Sequence, residues 1–370
     1  MRVAIITNIS WNLFNFRSSL AKEIKSAGHD VFLLAGEDAY SSKLEIEGYT
    51  FIALKSLERT GKNPIKDILL FQEFKKVFKQ QNIEFAILYH AKPMVYGALA
   101  ARMLGIPYLA TITGLAGPFS GNRRMIGWLV TLMYRFSLAG AKKVFFQNDE
   151  DLAFFLNRRI VKKRDTDRVW GSGIDLDQFS CSAQRQGPSD EMTFLLFGRL
   201  SYLKGIDLYA QAAGTIRKSY PKVKFLLAGP YDSDENAISK EQIELWVDNG
   251  WIDYLGVSDF IQKEIKMADV IVYPSFYKEG APRALIESSA MCKPIITTDN
   301  VGCRDVVKHE FNGLLIEPQN QQALEDAILK TISMPREELK LFGENGRKHV
   351  EQYFSSKEVN SHYLKILENK

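Results

Sequence analysis

Short β-branched and aliphatic runs alternate with helical stretches along most of this chain, and the alternation is interrupted once. Apolar runs fall at Val3–Thr7, Val31–Ala35, Phe51–Leu54, Phe85–Tyr89, Tyr108–Thr111 and Val144–Gln147, with helical patterns between several of them at Arg17–Ala27, Ile65–Gln80 and Met94–Leu104. Strands that are apolar along both faces imply a parallel sheet covered on both sides by helices. The stretch GSGIDLDQFSCSAQRQGPSDE (171–191) then loses all periodicity and is rich in Gly, Ser, Asp and Gln, as a linker is. Strand-like runs resume at Thr193–Gly198, Val223–Gly229, Ile252–Gly256, Val270–Ser275, Pro294–Thr298 and Gly313–Ile316.

The pattern predicts an α/β protein of two Rossmann-like, doubly wound domains facing each other across a cleft. The expected boundaries are 1–180 and 181–354, with a last helix, about 355–370, returning to the first domain. A length of 370 residues fits two or three domains. With 46% apolar and 25% charged residues, a disordered or fibrous chain is excluded. Ligands of such sheets bind beyond the carboxyl ends of the strands, so the cleft is the expected site.

The net charge of +4 hides an asymmetry. Residues 1–185 carry 26 Lys/Arg against 17 Asp/Glu, a balance of +9, and the remainder carries 22 against 27, a balance of −5. Only the first half is suited to an anionic surface. Two of its stretches mix aromatics and aliphatics with bases: IKDILLFQEFKKVFKQ (65–80) and 123–143, which holds Trp128, Met133, Tyr134 and Phe136. Helices of that kind lie in lipid headgroup regions, although a core-packing helix with a solvated face gives the same pattern. The N-terminal apolar run is too short for a signal-peptide core, and 125–141 is interrupted by Arg135. The expectation is a cytoplasmic protein held peripherally on the inner face of the cell membrane. The cysteines, Cys181, Cys292 and Cys303, are odd in number and lack a C-x-x-C spacing, so free thiols are expected.

Chemistry concentrates in the second half. GRLSYLKG (198–205) follows a strand, and its glycines bracket Arg199 and Lys204. A guanidinium fork and an ammonium at a sheet edge suit a diphosphate; two solvated surface charges are the alternative. In ADVIVYPSFYKEGAPRALIESSAMCKPIITTD (268–299) a strand leads into a loop with Glu279 and Gly280. Pro282 then suits the first turn of a helix in which Glu287 is the one acid. A carboxylate in so apolar a helix must be paired or hydrogen-bonded, and two vicinal ribose hydroxyls would satisfy it. The N–H groups of residues 281–285 would favour phosphate oxygens.

Glu279 and Glu287 form an E-x7-E pattern, EGAPRALIE. Together with GRLSYLKG it resembles the retaining glycosyltransferases of family 4, which have the GT-B architecture. The resemblance runs through YHAKPMVYGALAARMLGIPYLATITGLAG (89–117), KKVFFQNDEDLAFF (142–155), GSGIDLDQF (171–179), LLAGPYD (226–232), YLGVSD (254–259) and TTDNVGCRDVV (297–307). It is nearest the bacterial capsule and O-antigen subgroup. It implies transfer of a hexose or N-acetylhexosamine from a UDP-sugar to a saccharide on undecaprenyl diphosphate. It also implies roles. Arg199 and Lys204 neutralise the departing diphosphate, which with Glu279 makes them the catalytic set. Glu279 holds the sugar and Glu287 the ribose. Gly280, Ala281, Pro282 and Leu285 line the donor, and Gly229, Gly256 and Val257 frame the base. In the family's front-face displacement the leaving phosphate takes the acceptor proton, so no enzyme nucleophile is required.

The first half departs from that family in two places. A histidine usual after the strand ending at Thr111 is replaced by Thr113 or Gly114, and His90 could substitute for it or simply end its strand. The loop 8–20 lacks a Gly-Gly pair and offers Asn12, Asn15 and Arg17. Arg17 and Lys92 are expected just after strand ends, on the acceptor diphosphate, with Asn148 also near substrate; for Arg17 a plain helix start is the alternative. The D-x-D patterns at 149–151 and 232–234 suggest metal, but Asn148 followed by acids reads better as a helix N-cap, so no metal or other cofactor is expected. GSGIDL lacks the third glycine of a dinucleotide fingerprint. No nucleic-acid partner is expected. A sugar-nucleotide epimerase of the same architecture is the alternative enzyme, and a two-lobed sugar-binding protein the non-enzyme.

Overall fold

The structure is a computed structural model that describes residues 1–58, 63–114, 124–181, 191–232, 234–258 and 260–368, with backbone alone at 124–126. The chain divides into two compact units: residues 1–173 with 356–370, and residues 174–355. The junction thus precedes the expected position near 180, because Ile174 already bonds to Phe354 in the second unit and Gly173 lies against Ser356 in the first.

In the first unit the described strands are β1 (Arg2–Ile9), β2 (Asp30–Gly36), β3 (Thr50–Ala53), β4 (Phe85–Tyr89), β5 (Tyr108–Ile112), β6 (Lys143–Phe146) and β7 (Thr166–Arg168). They form a parallel sheet in the order β3-β2-β1-β4-β5-β6-β7. One face carries α1 (Ser10–Ser26) and the C-terminal helix, whose Tyr363 packs on Phe145 and Tyr89. The other face carries α3 (Pro64–Gln80), a π-helical turn at Pro93–Gly97, α4 (Ala98–Met103) and α5 (Arg124–Leu138). The short α2 (Ser41–Ile46) precedes β3, and α6 (Asp149–Asn157) follows β6. The interiors of β1, β2, β4, β5 and β6 are buried on both sides, which is why these runs are continuously apolar.

Two local readings change. The segment expected as a loop at 8–20 is the end of β1 and the first turns of α1, which begins at Ser10 without a side-chain cap. The edge strand β7 has the sequence TDR and no apolar signature.

The second unit repeats the design. Its strands β8 (Thr193–Phe197), β9 (Lys224–Ala228), β10 (Asp253–Tyr254), β11 (Val270–Tyr273), β12 (Ile295–Thr298) and β13 (Gly313–Ile316) run parallel in the order β10-β9-β8-β11-β12-β13. Helices α7 (Ile206–Ser219), α8 (Lys240–Asp248), α9 (Gln262–Met267), α10 (Arg283–Ala290), α11 (Cys303–Val306), α12 (Gln321–Ser333) and α13 (Arg336–Tyr353) connect and cover them. The returning helix α14 (Ser356–Glu368) completes the chain on the first unit. In each sheet the strand order reverses once, between β1 and β4 and between β8 and β11. A crevice opens beyond the carboxyl ends at such a switch point.

Candidate functional site

The second unit's switch point brings its predicted residues together. Lys204 follows β8 and Glu279 follows β11. Lys204 is buried, and its Nζ donates to Glu279 Oε1 at 2.6 Å and to the Tyr273 hydroxyl at 2.7 Å. Tyr273 also donates to Glu279 Oε1 at 2.8 Å. Burial pushes the Tyr273 pKa well up, and Glu279 raises it further, so this hydroxyl stays a neutral donor.

Glycines make that approach possible. Gly205 has φ +70°, and a Cβ there would lie 2.3 Å from the Pro274 carbonyl oxygen. The Leu203 carbonyl accepts from the N–H groups of Phe276 and Tyr277 at 3.1 Å each, docking the lysine loop on the glutamate loop. Gly302, also in the left-handed region, brings the 297–307 segment against Glu279 and Gly280, 2.8 Å from either carbonyl if it bore a Cβ.

Glu287 lies one helical run further on. It is buried and accepts from Arg283 Nε at 2.8 Å. Burial raises its pKa, and Arg283 pulls it back. Gly280 and Pro282 are buried, Ala281 is half-buried, and Pro282 caps α10. Leu285 is fully buried, and its N–H donates to the Pro282 carbonyl at 3.1 Å, so it is not one of the N–H groups expected to face phosphate. Gly229 donates to Gly256 O at 2.8 Å and lies so close to Gly198 that no side chain fits, while Val257 beyond it is exposed. The Arg199 guanidinium pairs with the half-buried Asp232 and lies 3.9 Å from Asp234, so the second D-x-D is an arginine clamp.

The first unit places its candidates less uniformly. Lys92 pairs with Asp67 at 2.8 Å, and Asp67 also accepts from the Tyr96 hydroxyl, so Lys92 is tied to α3. Arg17 lies in the middle of α1, buried, with its guanidinium 3.7 Å above the Tyr89 ring. It is neither a helix start nor exposed at a strand end. Asn15 is half-buried and donates to Trp11 O, and Asn12 donates to Asn8 Oδ1. His90 is half-buried at φ +66°; Thr113 and Gly114, both half-buried, follow β5. Asn148 is fully buried and caps α6, accepting from Asp151 N at 2.7 Å and donating to Asp151 Oδ2 at 3.0 Å. Asp149 pairs with Arg168. The Asn148 amide thus caps α6.

Cys181 and Cys292 are paired, with Cα atoms 5.0 Å apart, and Cys303 alone is free. This corrects the expectation of three free thiols. The partners are 111 residues apart, a separation that no spacing rule detects. Two further residues of the site carry no sequence signal of their own: Tyr273, whose hydroxyl joins Lys204 to Glu279, and Arg283, the partner of Glu287.

The glycosyl transferase 4-like family profile matches residues 2–148, and that of glycosyl transferases group 1 matches residues 178–349. The chain is 25% identical to an N,N'-diacetylbacillosaminyl-diphospho-undecaprenol alpha-1,3-N-acetylgalactosaminyltransferase from Campylobacter jejuni, over 99% of this chain and 98% of that one. It is 24% identical to a UDP-Gal:alpha-D-GlcNAc-diphosphoundecaprenol alpha-1,3-galactosyltransferase from Escherichia coli, over 72% and 70%. A crystal structure of a glycosyltransferase from Rickettsia africae superposes with a TM-score of 0.80 at 20% identity, covering 99% of this chain and 97% of that one. With a paired lysine and E-x7-E at the second unit's switch point, the chain belongs to the GT-B glycosyltransferases, joining a glycosyl transferase 4-like first unit to a group 1 second unit.

Proposed function

We propose that this glycosyltransferase moves a hexose or N-acetylhexosamine from a UDP-sugar to a saccharide carried on a polyprenyl diphosphate, with retention at the anomeric carbon. The observation that carries the reading is the Lys204–Tyr273–Glu279 cluster at the β8/β11 switch point. A departing nucleoside diphosphate develops charge, and a buried, oriented ammonium stabilises it without reorganisation. Arg199, Lys204 and Glu279 form the catalytic set. Glu279 receives the sugar hydroxyls, Glu287 the ribose, and the backbone at Gly280–Pro282 the phosphates. Gly229 and Val257 flank the base. The lipid-linked acceptor is supported by the activities of the Campylobacter and Escherichia relatives.

The first unit supplies the acceptor side, with His90, Thr113 and Gly114 following strand ends and Asn15 and Arg17 on α1. Lys92, paired with Asp67, and Asn148, the cap of α6, complete that proposed acceptor side. The reaction is proposed to proceed without metal, so activity should persist in EDTA.

This unit is also proposed to rest on an anionic membrane at the cell's inner face. Helix α3 exposes Ile65, Ile68 and Leu69 beside Lys66, Lys76 and Lys79, and α5 exposes Trp128, Leu129 and Phe136 beside Arg135. Both helices cover the same face of the sheet. No helix among the described residues is long and apolar enough to cross a membrane. Each base near an anionic surface contributes on the order of 1 kcal/mol. Pelleting with anionic but not neutral vesicles is expected, and failure to bind either refutes the membrane reading.

The functional test is a donor screen reading nucleotide release with and without a polyprenyl-diphosphate saccharide. Acceptor-dependent UDP release and an axial product linkage are expected. Interconversion of the UDP-sugar without acceptor would overturn the assignment.

A further inference from the structure

We infer that the carboxyl edge of the first unit's sheet, beneath α14, holds an anion site built by Arg17 and Gln147, fitted to a diphosphate. The inference deepens the acceptor reading above and depends on it only for the origin of the ligand.

Among the described residues, Arg17 is a buried cation without a counter-charge. Arg17 is only 4% exposed, yet its guanidinium makes no ion pair or hydrogen bond among the described residues. Burying a cation costs several kcal/mol unless it is paired. Its one contact of note is the face of Tyr89, which recovers a fraction of that cost. The surrounding groups do not neutralise it. Burial drives the Tyr89 pKa well up despite the pull of Arg17, so the phenol stays neutral. The Tyr363 hydroxyl is engaged with Thr111 Oγ1 at 2.9 Å. On α1, Glu23 accepts from Asn360. On α14, Glu358 faces His362. At the start of α6, Asp149 holds Arg168 and Asp151 holds the Asn148 amide.

The second observation is independent. Gln147, directly after β6, is 4% exposed, and its Nε2 is buried with no acceptor among the described residues. Leaving such a donor unpaired costs about 1–3 kcal/mol.

Register places the two donors on one side. Tyr89 pairs with Thr111 and Thr111 with Phe145, so these three form a row across β4, β5 and β6. Tyr89 and Phe145 pack on the α1/α14 face. Side chains alternate along a strand, so Gln147 falls on the side of Phe145, one pleat further toward the carboxyl edge. Tyr89 ends β4 and α1 follows β1, so Arg17 sits at the crevice where the strand order reverses. At about 4.8 Å per strand, Gln147 rises two strands, roughly 10 Å, from the Tyr89 ring over which the Arg17 guanidinium lies. That gap is wide for one phosphate and suits two linked ones, each taking a donor. Thr113, half-buried after β5, lies between them in strand order.

The test uses the full chain with UDP held saturating, so that the second unit's cations are occupied. Calorimetry follows inorganic pyrophosphate, then farnesyl diphosphate in detergent micelles, with farnesol as the uncharged control. Wild type should bind both diphosphates and not farnesol. Arg17→Gln and Gln147→Leu should each weaken pyrophosphate at least tenfold. Gln147→Leu also separates ligand binding from folding: deleting a buried donor that has no protein partner should leave the melting temperature unchanged or higher. Tighter farnesyl diphosphate assigns the site to a lipid diphosphate; equal affinities assign it to a free one. Wild-type affinity in a folded Gln147→Leu variant, or no binding of either diphosphate to wild type, overturns the site. Arginine- and glutamine-dependent binding in a protein that transfers no sugar would sink the transfer reading and leave the site standing.

Discussion

Replacing Arg283 by Ala isolates what its pairing does for Glu287. Arg283 opens α10, the positive end of that helix's dipole, where a cation is disfavoured. Its place is explained by Glu287 one turn on, whose Oε1 it holds at 2.8 Å. Removing one partner of a fully buried pair costs about 3–5 kcal/mol. Here the side chains are 21% and 11% exposed, so solvent screens part of the loss and about 2–3 kcal/mol is expected. The pH dependence has a definite sign. Burial raises the folded-state pKa of Glu287 above its unfolded value. Its contribution is therefore fully present below the unfolded pKa and lost as pH rises through the folded pKa. Deleting Arg283 raises the folded pKa further. The deficit against wild type is then largest above the folded pKa and shrinks as pH falls through it. Two units need not unfold together, so the readout should be hydrogen exchange at amides of α10 and β11 as a function of pH. Glu287→Gln in the Arg283→Ala background should abolish the pH-dependent part. A deficit below about 0.5 kcal/mol, or one independent of pH, refutes the reasoning.

Lys204→Met should lower kcat about 10²–10³-fold, with a smaller change in donor KM, since its charge acts on the departing diphosphate; steady-state kinetics separate the two. Gly205→Ala meets both a φ of +70° and the Pro274 carbonyl, so it should lose at least about 1–3 kcal/mol in a urea titration and loosen UDP binding. Reducing the Cys181–Cys292 bond reopens a loop spanning 111 residues and should cost the second unit up to about 4–5 kcal/mol. A Cys181→Ser variant should be insensitive to reductant, and equal sensitivity would count against the pairing.

The strand positions were legible because parallel strands buried on both faces must be apolar throughout, as Val270–Tyr273 and Phe85–Tyr89 are. The reading failed where that constraint lapses. The strand β7 lies at a sheet edge, where TDR suffices. Helix α1 begins without a capping side chain, and its buried stripe of Leu13, Arg17, Leu20 and Ile24 has a cation at a core position. That cation disguised the start of the helix. The Asn148 cap was legible because its partner is three residues away. The partners of Arg199, Lys204 and Cys292 lie 33, 75 and 111 residues distant, which local pattern cannot report.

The charge imbalance gains a structural meaning from these pairings. In the second unit three cations at the site are each held by an acid: Arg199 by Asp232, Lys204 by Glu279, Arg283 by Glu287. Those acids contribute to the −5 balance of that half. They lower the cost of burying bare cations and fix their direction, so a nucleoside diphosphate entering beside Lys204 shares a cation already oriented. Its gain is a difference between two anionic partners, which suits a product that must leave after each turnover. In the first unit Lys92 has its acid, whereas Arg17 has none among the described residues. A diphosphate there would supply the missing counter-charge outright. The same arithmetic thus assigns exchange to one unit and neutralisation to the other. It also accounts for a buried arginine tolerated on an otherwise apolar helix face.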